Sequence, residues 1–316
     1  MRSVVAALAF VYLSFGHPAD RVFQFHTAQS DQEMQEIATV VKAIGDIRDT
    51  SVDTDARRLS VRGSDAQLAQ ADWLFNELDK APDTLAHEYR VPEGPENVVR
   101  LYYLPASLTL QDFQEISTLV RHITEIRRAY TYNTPRALVV RGTPEQMLVA
   151  SWLLQQLTGE PTGSRFPVPE TSDDLVRVLL VPNAATVQQL QEIATLVRSI
   201  GDIRQLFTYQ RARAIAIRGT SQQLALAEWL TQELDGPSAP HAASPEYLLP
   251  AQTEGVVKVF YLPKSDSLQS FQQAATFIRT TTQIRRAFTY NAPRALALRG
   301  TPSQIADAER LIQERK

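Results

Sequence analysis

Residues 126–157 read IRRAYTYNTPRALVVRGTPEQMLVASWLLQQL, which predicts a strand, a tight turn, a second strand and a capped helix. The second strand, residues 138–141, is aliphatic and β-branched, and Gly142 follows it as a typical strand terminator. Asn133 and Pro135 favour a turn before that strand, because Asn tolerates a left-handed backbone and Pro fixes φ. The segment therefore predicts a β-hairpin that leads into a helix.

The same segment occurs four times, and its copies begin at Ile47, Ile126, Ile203 and Ile284. The copies are about eighty residues apart, and such a fixed period is typical of repeat proteins. Each hairpin ends in Arg-Gly, which is followed by Ser or Thr and, three residues later, by Gln. That spacing predicts a capping box, in which the hydroxyl and the Gln side chain satisfy the first N–H groups of a helix. The predicted cap pairs are Ser64 and Gln67, Thr143 and Gln146, Thr220 and Gln223, and Thr301 and Gln304.

Each hairpin is preceded by a further strand and an amphipathic helix. In the second copy, the apolar residues Phe113, Ile116, Val120 and Ile123 follow helical spacing. The repeat is thus strand, helix, strand, strand, helix, which predicts an α+β fold of four tandem βαββα modules. We expect each module to be a three-stranded sheet with two helices on one face, and the third strand to lie between the first two.

The predicted repeats span residues 20–80, 96–159, 173–236 and 254–316, and Pro-rich linkers of a semi-extended kind separate them. The linkers carry aromatic–aliphatic patches around Tyr89, Phe166 and Tyr247, which we expect to dock on a neighbouring repeat. Trp73, Trp152 and Trp229 share one position of the second helix, where a tryptophan packs in the core or between repeats.

Residues 1–19 have the pattern of a signal peptide: Arg2 is basic, residues 4–15 are almost entirely apolar, and small residues follow. The apolar run is shorter than the roughly 20 residues that span a bilayer. We therefore predict export to the periplasm, with at most a peripheral association with the outer membrane. The alternatives are an uncleaved anchor or a strand of the first repeat.

Composition argues against several classes of function. The chain of 316 residues has a net charge of −3, which does not favour bulk attraction to nucleic acid or anionic lipid. It has no cysteine, and its five histidines do not recur at equivalent positions of the repeats. No nucleotide-binding or nucleophile motif is present. We predict a protein that is not an enzyme, with no catalytic or metal residues and no cofactor.

Recurring polar residues are the candidate interaction sites. The first helix of each repeat carries Gln, Thr and a basic residue along one stripe, and the basic members are Lys42, Arg121, Arg198 and Arg279. Two further sets recur at the start of the second strand and in the turn, namely Arg127, Arg204 and Arg285, and Arg136, Arg213 and Arg294. One interpretation is a solvated face. The other is a lateral contact in which arginines meet Glu36, Glu115 and Glu192 of another module.

The open face of the sheet is a second candidate. Arg100, Tyr102, Tyr130 or Tyr132, and Arg141 could share it, and aromatics with Arg on an open sheet are typical of an RNA platform. The same residues would also pack one module against the next. Export and the acidic charge balance favour packing.

The sequence NTPRALVVRGTPEQ of residues 133–146, together with Leu234 and Asp235, resembles the periplasmic repeats of bacterial secretins, the NolW-like or short secretin N-terminal modules. The resemblance implies KH-like βαββα modules that stack into rings and bind secretion or pilus components. We accordingly predict an exported, non-catalytic scaffold in an envelope, secretion or pilus assembly. Its expected partners are proteins, including a secretin, a pilus component or further copies of the chain, and not nucleic acid.

The sequence departs from that family in two respects. The family's Asn in the third strand is replaced by Arg136, Arg213 and Arg294. The chain also ends at Lys316, directly after the fourth repeat, so we expect it not to be a complete outer-membrane pore by itself. The alternative function is a KH-like protein that binds single-stranded nucleic acid. A KH module needs a Gly-x-x-Gly loop, whereas residues 44–47 supply one glycine.

Overall fold

The structure is a computed structural model that describes residues 19–82, 86–159, 162–236, 245–250, 252–262, 265 and 267–314. The predicted signal peptide, apart from Ala19, lies outside the described residues. The chain forms two compact units. The first contains the described residues up to Tyr103 together with Tyr130–Arg141, and the second contains Leu104–Ala129 and the described residues from Gly142 onward.

The first repeat consists of β1 (Ala19–Gln24), α1 (Asp31–Gly45), β2 (Asp49–Asp53), β3 (Arg58–Gly63) and α2 (Asp65–Leu78). Its sheet has the order β1-β3-β2, and both outer strands run antiparallel to β3. This arrangement confirms the predicted α+β fold, with the third strand in the middle. The alternating burial of β3 shows one face of the sheet turned to the core and the other to solvent.

The second repeat begins with β4 (His87–Arg90) and β5 (Val98–Tyr103), followed by α3 (Leu110–Ile123), β6 (Arg128–Tyr132), β7 (Ala137–Gly142) and α4 (Pro144–Thr158). The third consists of β8 (Arg165–Pro167), β9 (Leu175–Leu180), α5 (Val187–Gly201), β10 (Gln205–Tyr209), β11 (Ala214–Gly219) and α6 (Ser221–Asp235). The fourth consists of β12 (Glu246–Leu248), β13 (Val256–Tyr261), α7 (Leu268–Thr282), β14 (Arg286–Tyr290), β15 (Ala295–Gly300) and α8 (Pro302–Gln313).

The linkers do more than separate the repeats, because each contributes an edge strand to the next sheet. The strand orders are β4-β5-β7-β6, β10-β11-β9-β8 and β12-β13-β15-β14. The sheets of these three repeats therefore have four strands where three were predicted, and the second halves of the linkers form strands in addition to connecting the repeats. The aromatic–aliphatic patches supply the residues that form β4, β8 and β12.

The capping boxes join the two helices of a repeat as well as starting the second one. In the third repeat, the side chain of Gln223 accepts a hydrogen bond from the N–H of Thr220 at 3.0 Å and donates one to the carbonyl of Asp202 at 2.7 Å. The predicted box is present in all four repeats. Gly219 precedes the cap because a Cβ there would come within 2.7 Å of the Gln223 side-chain oxygen.

Candidate interaction surfaces

The face of the sheet that a repeat's own helices leave open is covered by the helices of the preceding repeat. In the second unit, α5 packs on β10 of its own repeat and on β14 and β15 of the next. One core cluster accordingly combines Leu196 and Val197 of α5 with Tyr290, Ala295 and Ala297 of the fourth repeat. In the first unit, the core of the first repeat likewise includes Val99, Leu101, Tyr132, Ala137 and Val139. We call this contact between consecutive repeats the junction.

A carboxylate on the first helix holds the turn of the next repeat. Glu192 accepts hydrogen bonds from the backbone N–H and the side-chain amide of Asn291, both at 2.9 Å. Glu36 accepts the same pair from Asn133 at 2.7 and 2.8 Å, and Glu115 accepts the N–H of Gln210 at 3.1 Å. The prediction that these glutamates make lateral contacts with another module is consistent with this geometry. The donors, however, are turn amides and not the arginines of the helical stripe.

The arginine that ends the third strand binds the end of the preceding repeat's first helix. Arg141 donates to the carbonyl of Ile44 at 3.0 Å, Arg218 to that of Ile123 at 2.9 Å, and Arg299 to that of Ile200 at 2.6 Å. Carbonyls in the last turn of a helix lack intrahelical partners and carry partial negative charge, so a guanidinium suits them. Sequence reasoning singled out only Arg141 here, although the recurrence of Arg-Gly in all four copies was a signal for the set.

Aromatic pairs complete each junction, and their rings are tilted in the first and third pairs and stacked in the second. The ring centroids of Trp73 and Tyr89 are 5.4 Å apart, those of Trp152 and Phe166 are 5.3 Å apart, and those of Trp229 and Tyr247 are 5.4 Å apart. Each tryptophan belongs to a second helix and each partner to the edge strand of the next repeat. The tryptophans therefore pack between repeats, and the linker patches dock on the neighbouring repeat as predicted.

The proposed platform on the sheet is divided between two faces. Val99, Leu101 and Tyr103 alternate along β5 with Arg100 and Tyr102, and the first three pack with the core of the first repeat. Arg100 and Tyr102 consequently lie on the opposite face from Tyr132 and Arg141, which corrects the predicted grouping. Tyr132 is buried, and Tyr130 packs against the same core, so this face makes a junction between repeats and does not remain open for stacking bases.

The turn arginines stabilise their own repeats. Arg136, Arg213 and Arg294 have the left-handed φ values of 56°, 46° and 53°. The side chain of Arg213 donates to the carbonyl of Pro182 at 2.7 Å, and that of Arg294 donates to the carbonyl of Ser265. The guanidinium groups of Arg213 and Arg294 thus tie the turn to the loop that follows the first strand, whereas that of Arg136 donates to the carbonyl of Asn133 within the turn. This geometry gives Arg213 and Arg294 a structural role within the repeat.

The other predicted arginines lie on the surface. Lys42, Arg121, Arg198 and Arg279 are exposed on the first helices, and Arg127, Arg204 and Arg285 are exposed immediately before the second strands. The guanidinium of Arg198 also donates to the carbonyl of Leu206 in its own repeat. The stripe is therefore a surface separate from the junction, whose helix contacts come from Glu36, Glu115, Glu192 and apolar residues.

Burial in a junction changes the pKa of a tyrosine. Burial raises the pKa of Tyr209 to about 12, so its hydroxyl stays protonated at neutral pH. Within the described ranges, no three metal-ligating side chains come together. The part of the chain that the structure describes also holds no helix with the length and apolar character needed to cross a membrane.

Solved structures of secretins resemble parts of this chain. Aeromonas hydrophila ExeD aligns at 13% identity and a TM-score of 0.17, over 70% of this chain and 41% of its own. The N-terminal domain of the secretin XcpQ from Pseudomonas aeruginosa aligns at 16% identity and a TM-score of 0.19, over 48% of this chain and 68% of its own. XcpQN012 aligns at 15% identity and a TM-score of 0.24, over 70% of this chain and all of its own. Likenesses at TM-scores this low carry no functional argument.

No protein-family model matches the sequence, and no curated protein does.

Proposed function

We propose that the chain is a non-catalytic scaffold that binds protein partners through the stripe on its first helices. The observation that carries the proposal is the composition of this surface. The stripe comprises Gln35, Thr39 and Lys42 in the first repeat, and each of the other repeats presents Gln, Thr and Arg at the same exposed positions. Partly buried positions of the second helix vary between copies, as Asp72, Ser151 and Glu228 illustrate.

The chemistry of the stripe suits a polar, acidic protein surface. Amide, hydroxyl and basic groups at successive turns of a helix offer hydrogen-bond donors and positive charge to carboxylates. A single exposed ion pair contributes little, so capture would depend on several repeats engaging one assembly. We propose that the modules correspond to the four predicted repeats, that the chain is exported to the periplasm, and that its partners are secretion or pilus components. The secretin-like motif at residues 133–146 supports that setting.

The test compares two triple charge reversals. Lys42→Glu, Arg121→Glu and Arg279→Glu alter the stripe, whereas Arg48→Glu, Arg127→Glu and Arg285→Glu make the same change in charge at the strand starts. We expect the stripe variant to retain the wild-type melting temperature and to recover at least about tenfold less partner from periplasmic extract. The strand-start variant should recover partner normally. Equal recovery by both variants, or loss only in the strand-start variant, would contradict the proposal.

A further inference from the structure

The third repeat lacks an aromatic ring that the other three repeats place beside a basic residue. The first strands contain Arg21 and Phe23, Arg100 and Tyr102, and Lys258 and Phe260, each pair two residues apart. In β9 the corresponding residues are Arg177 and Leu179. The side chain at the facing position of the second helix is also smaller in the third repeat. Thr231 stands there, where the other repeats have Phe75, Leu154 and Ile312.

The ring has two contacts in the repeats that possess it. In the first repeat, Phe23 stacks on Phe75 with ring centroids 4.8 Å apart. In the fourth repeat, the ammonium group of Lys258 lies 5.6 Å from the centroid of Phe260. In the second repeat, the Tyr102 side chain forms a hydrogen bond with Arg100. The ring thus packs against the second helix in the first repeat and contacts the basic residue of its strand in the second and fourth repeats.

These two smaller side chains, Leu179 and Thr231, leave a cavity in the third repeat. Its volume is about 220 Å³, and Arg177, Leu179, Thr231 and Glu228 line it. Its rim includes Leu180, which is 44% exposed, and the exposed Gly163, so the cavity opens to solvent.

Two polar groups of this cavity have no hydrogen-bond partner among the described residues. Thr231 is only 4% exposed, yet its Oγ1 has no partner, and neither does Nε of Arg177. Another nitrogen of Arg177 is paired with Glu228, so the guanidinium is held at the wall of the cavity. Buried polar groups without partners are unfavourable, so a ligand that supplies an oxygen here would gain binding energy.

We propose that this cavity binds an aromatic ring that carries a hydroxyl group, as in a free phenol or in the tyrosine side chain of a partner protein. The ring takes the place that Tyr102 occupies in the second repeat, and its oxygen accepts a hydrogen bond from Nε of Arg177. The hydroxyl of Thr231 is a second partner for that oxygen. The site is separate from the helical stripe and does not depend on it.

The first test uses 4-methylphenol and toluene as probes of the full chain, with binding followed by NMR chemical-shift titration. We expect saturable binding of 4-methylphenol and binding of toluene that is at least about tenfold weaker, because toluene leaves both polar groups unpaired. Absence of saturable 4-methylphenol binding would overturn the site. Equal affinity for the two probes would overturn the assignment of a hydroxylated ring.

The second test uses one variant that fills the cavity with a side chain and one that removes a polar group from its wall. Leu179→Tyr restores the residue of the second repeat and should abolish 4-methylphenol binding while raising the melting temperature. Thr231→Val keeps the shape and should weaken 4-methylphenol binding without changing toluene binding. Leu148→Tyr, at an exposed position of the second repeat, is the matched control and should bind like the wild type. Binding that survives Leu179→Tyr would place the ligand elsewhere and overturn the proposal.

N-acetyltyrosinamide distinguishes the two sources of the ring. If it binds and competes with 4-methylphenol, the cavity admits a tyrosine side chain with its backbone attached. If only 4-methylphenol binds, the ligand is a free phenol. Either result supports the ring site, and both remain measurable if the stripe variants show no loss of partner.

Discussion

Asp112 shows how one side chain can serve its own helix and the next repeat together. Its carboxylate accepts the N–H of Thr109 at the helix start at 3.0 Å and lies 3.1 Å from the guanidinium of Arg211 in the third repeat. Burial works to raise the pKa of Asp112, but the hydrogen bonds with Thr109 and the contact with Arg211 outweigh it and lower that pKa. A lowered carboxyl pKa means that ionisation of this group favours the folded state.

The sign of that shift gives a pH prediction. The contribution of Asp112 should be complete above the pKa of an unfolded Asp, about 3.9, and should be lost as pH falls through the lower folded value. We expect Asp112→Asn to lower the urea midpoint clearly at pH 7 and only slightly near about pH 3. Asp55→Asn, in an exposed turn, is the control and should change little at either pH. If Asp112→Asn lowers the urea midpoint by the same amount at both pH values, this account is contradicted.

Among the elements, the short edge strands β4, β8 and β12 show how a linker becomes part of a junction. Backbone pairing fixes β12 on β13, and Tyr247 at its centre is thereby held against Trp229 of the preceding repeat. A strand of three residues gains little from pairing alone, so the aromatic contact is part of what keeps it in place. The linker therefore stabilises the contact between the repeats that it connects.

Replacing Trp229 tests how much the aromatic contact contributes to the stability of the junction. We expect Trp229→Ala to lower the free energy of unfolding by about 1–3 kcal/mol, since a partly buried ring and its contact with Tyr247 are both lost. Arg310 is the exposed counterpart in the fourth repeat, so Arg310→Ala is the matched control and should change stability by less than about 0.5 kcal/mol. Chemical denaturation measures both. Similar effects for the two variants would show that the contact between Trp229 and Tyr247 does not stabilise the junction.

At the scale of the whole molecule, junctions merge the cores of consecutive repeats inside each unit. Leu196 is 1% exposed because it lies between its own repeat and the sheet of the fourth. Its counterpart in the fourth repeat, Phe277, is 40% exposed. Repeats with weak mutual contacts would each fold alone. A shared core instead predicts that neighbouring repeats lose stability together.

Hydrogen exchange can measure this coupling. Leu196→Ala should cost about 2–5 kcal/mol and should reduce amide protection in β14 and β15 as well as in the third repeat. Phe277→Ala, at the exposed counterpart, should cost less than about 1 kcal/mol and leave that protection nearly unchanged. If protection in β14 and β15 survives Leu196→Ala, the fourth repeat folds independently of the third.

The outer face of the first repeat's sheet differs in composition from the corresponding face of the second repeat. Arg58, Ser60 and Arg62 are exposed where β7 has Ala137, Val139 and Arg141 in a junction. Arg62 correspondingly pairs with Asp20 of its own sheet at 2.5 Å. Polar side chains on this face let it meet solvent without exposing an apolar surface.

The sequence by itself determined the repeating unit, because the signals involved are local. The capping boxes need residues three positions apart, and the alternation of Leu138 and Val140 with Val139 and Arg141 needs only the strand period of two. The middle position of the third strand followed from a hairpin and a helical crossover. Local chemistry also separated the exposed stripe from the apolar face of each first helix.

Only the tertiary structure decided which polar groups meet between repeats. Glu192 and Asn291 are 99 residues apart in the chain, and nothing near either residue indicates its partner. The same holds for Arg299 and the carbonyl of Ile200, which no side-chain pattern marks. The edge strands were missed because three or four residues carry little strand signal until a neighbouring strand fixes them. The cavity beside Thr231 also needed the fold, because an empty space exists only when the residues around it are placed.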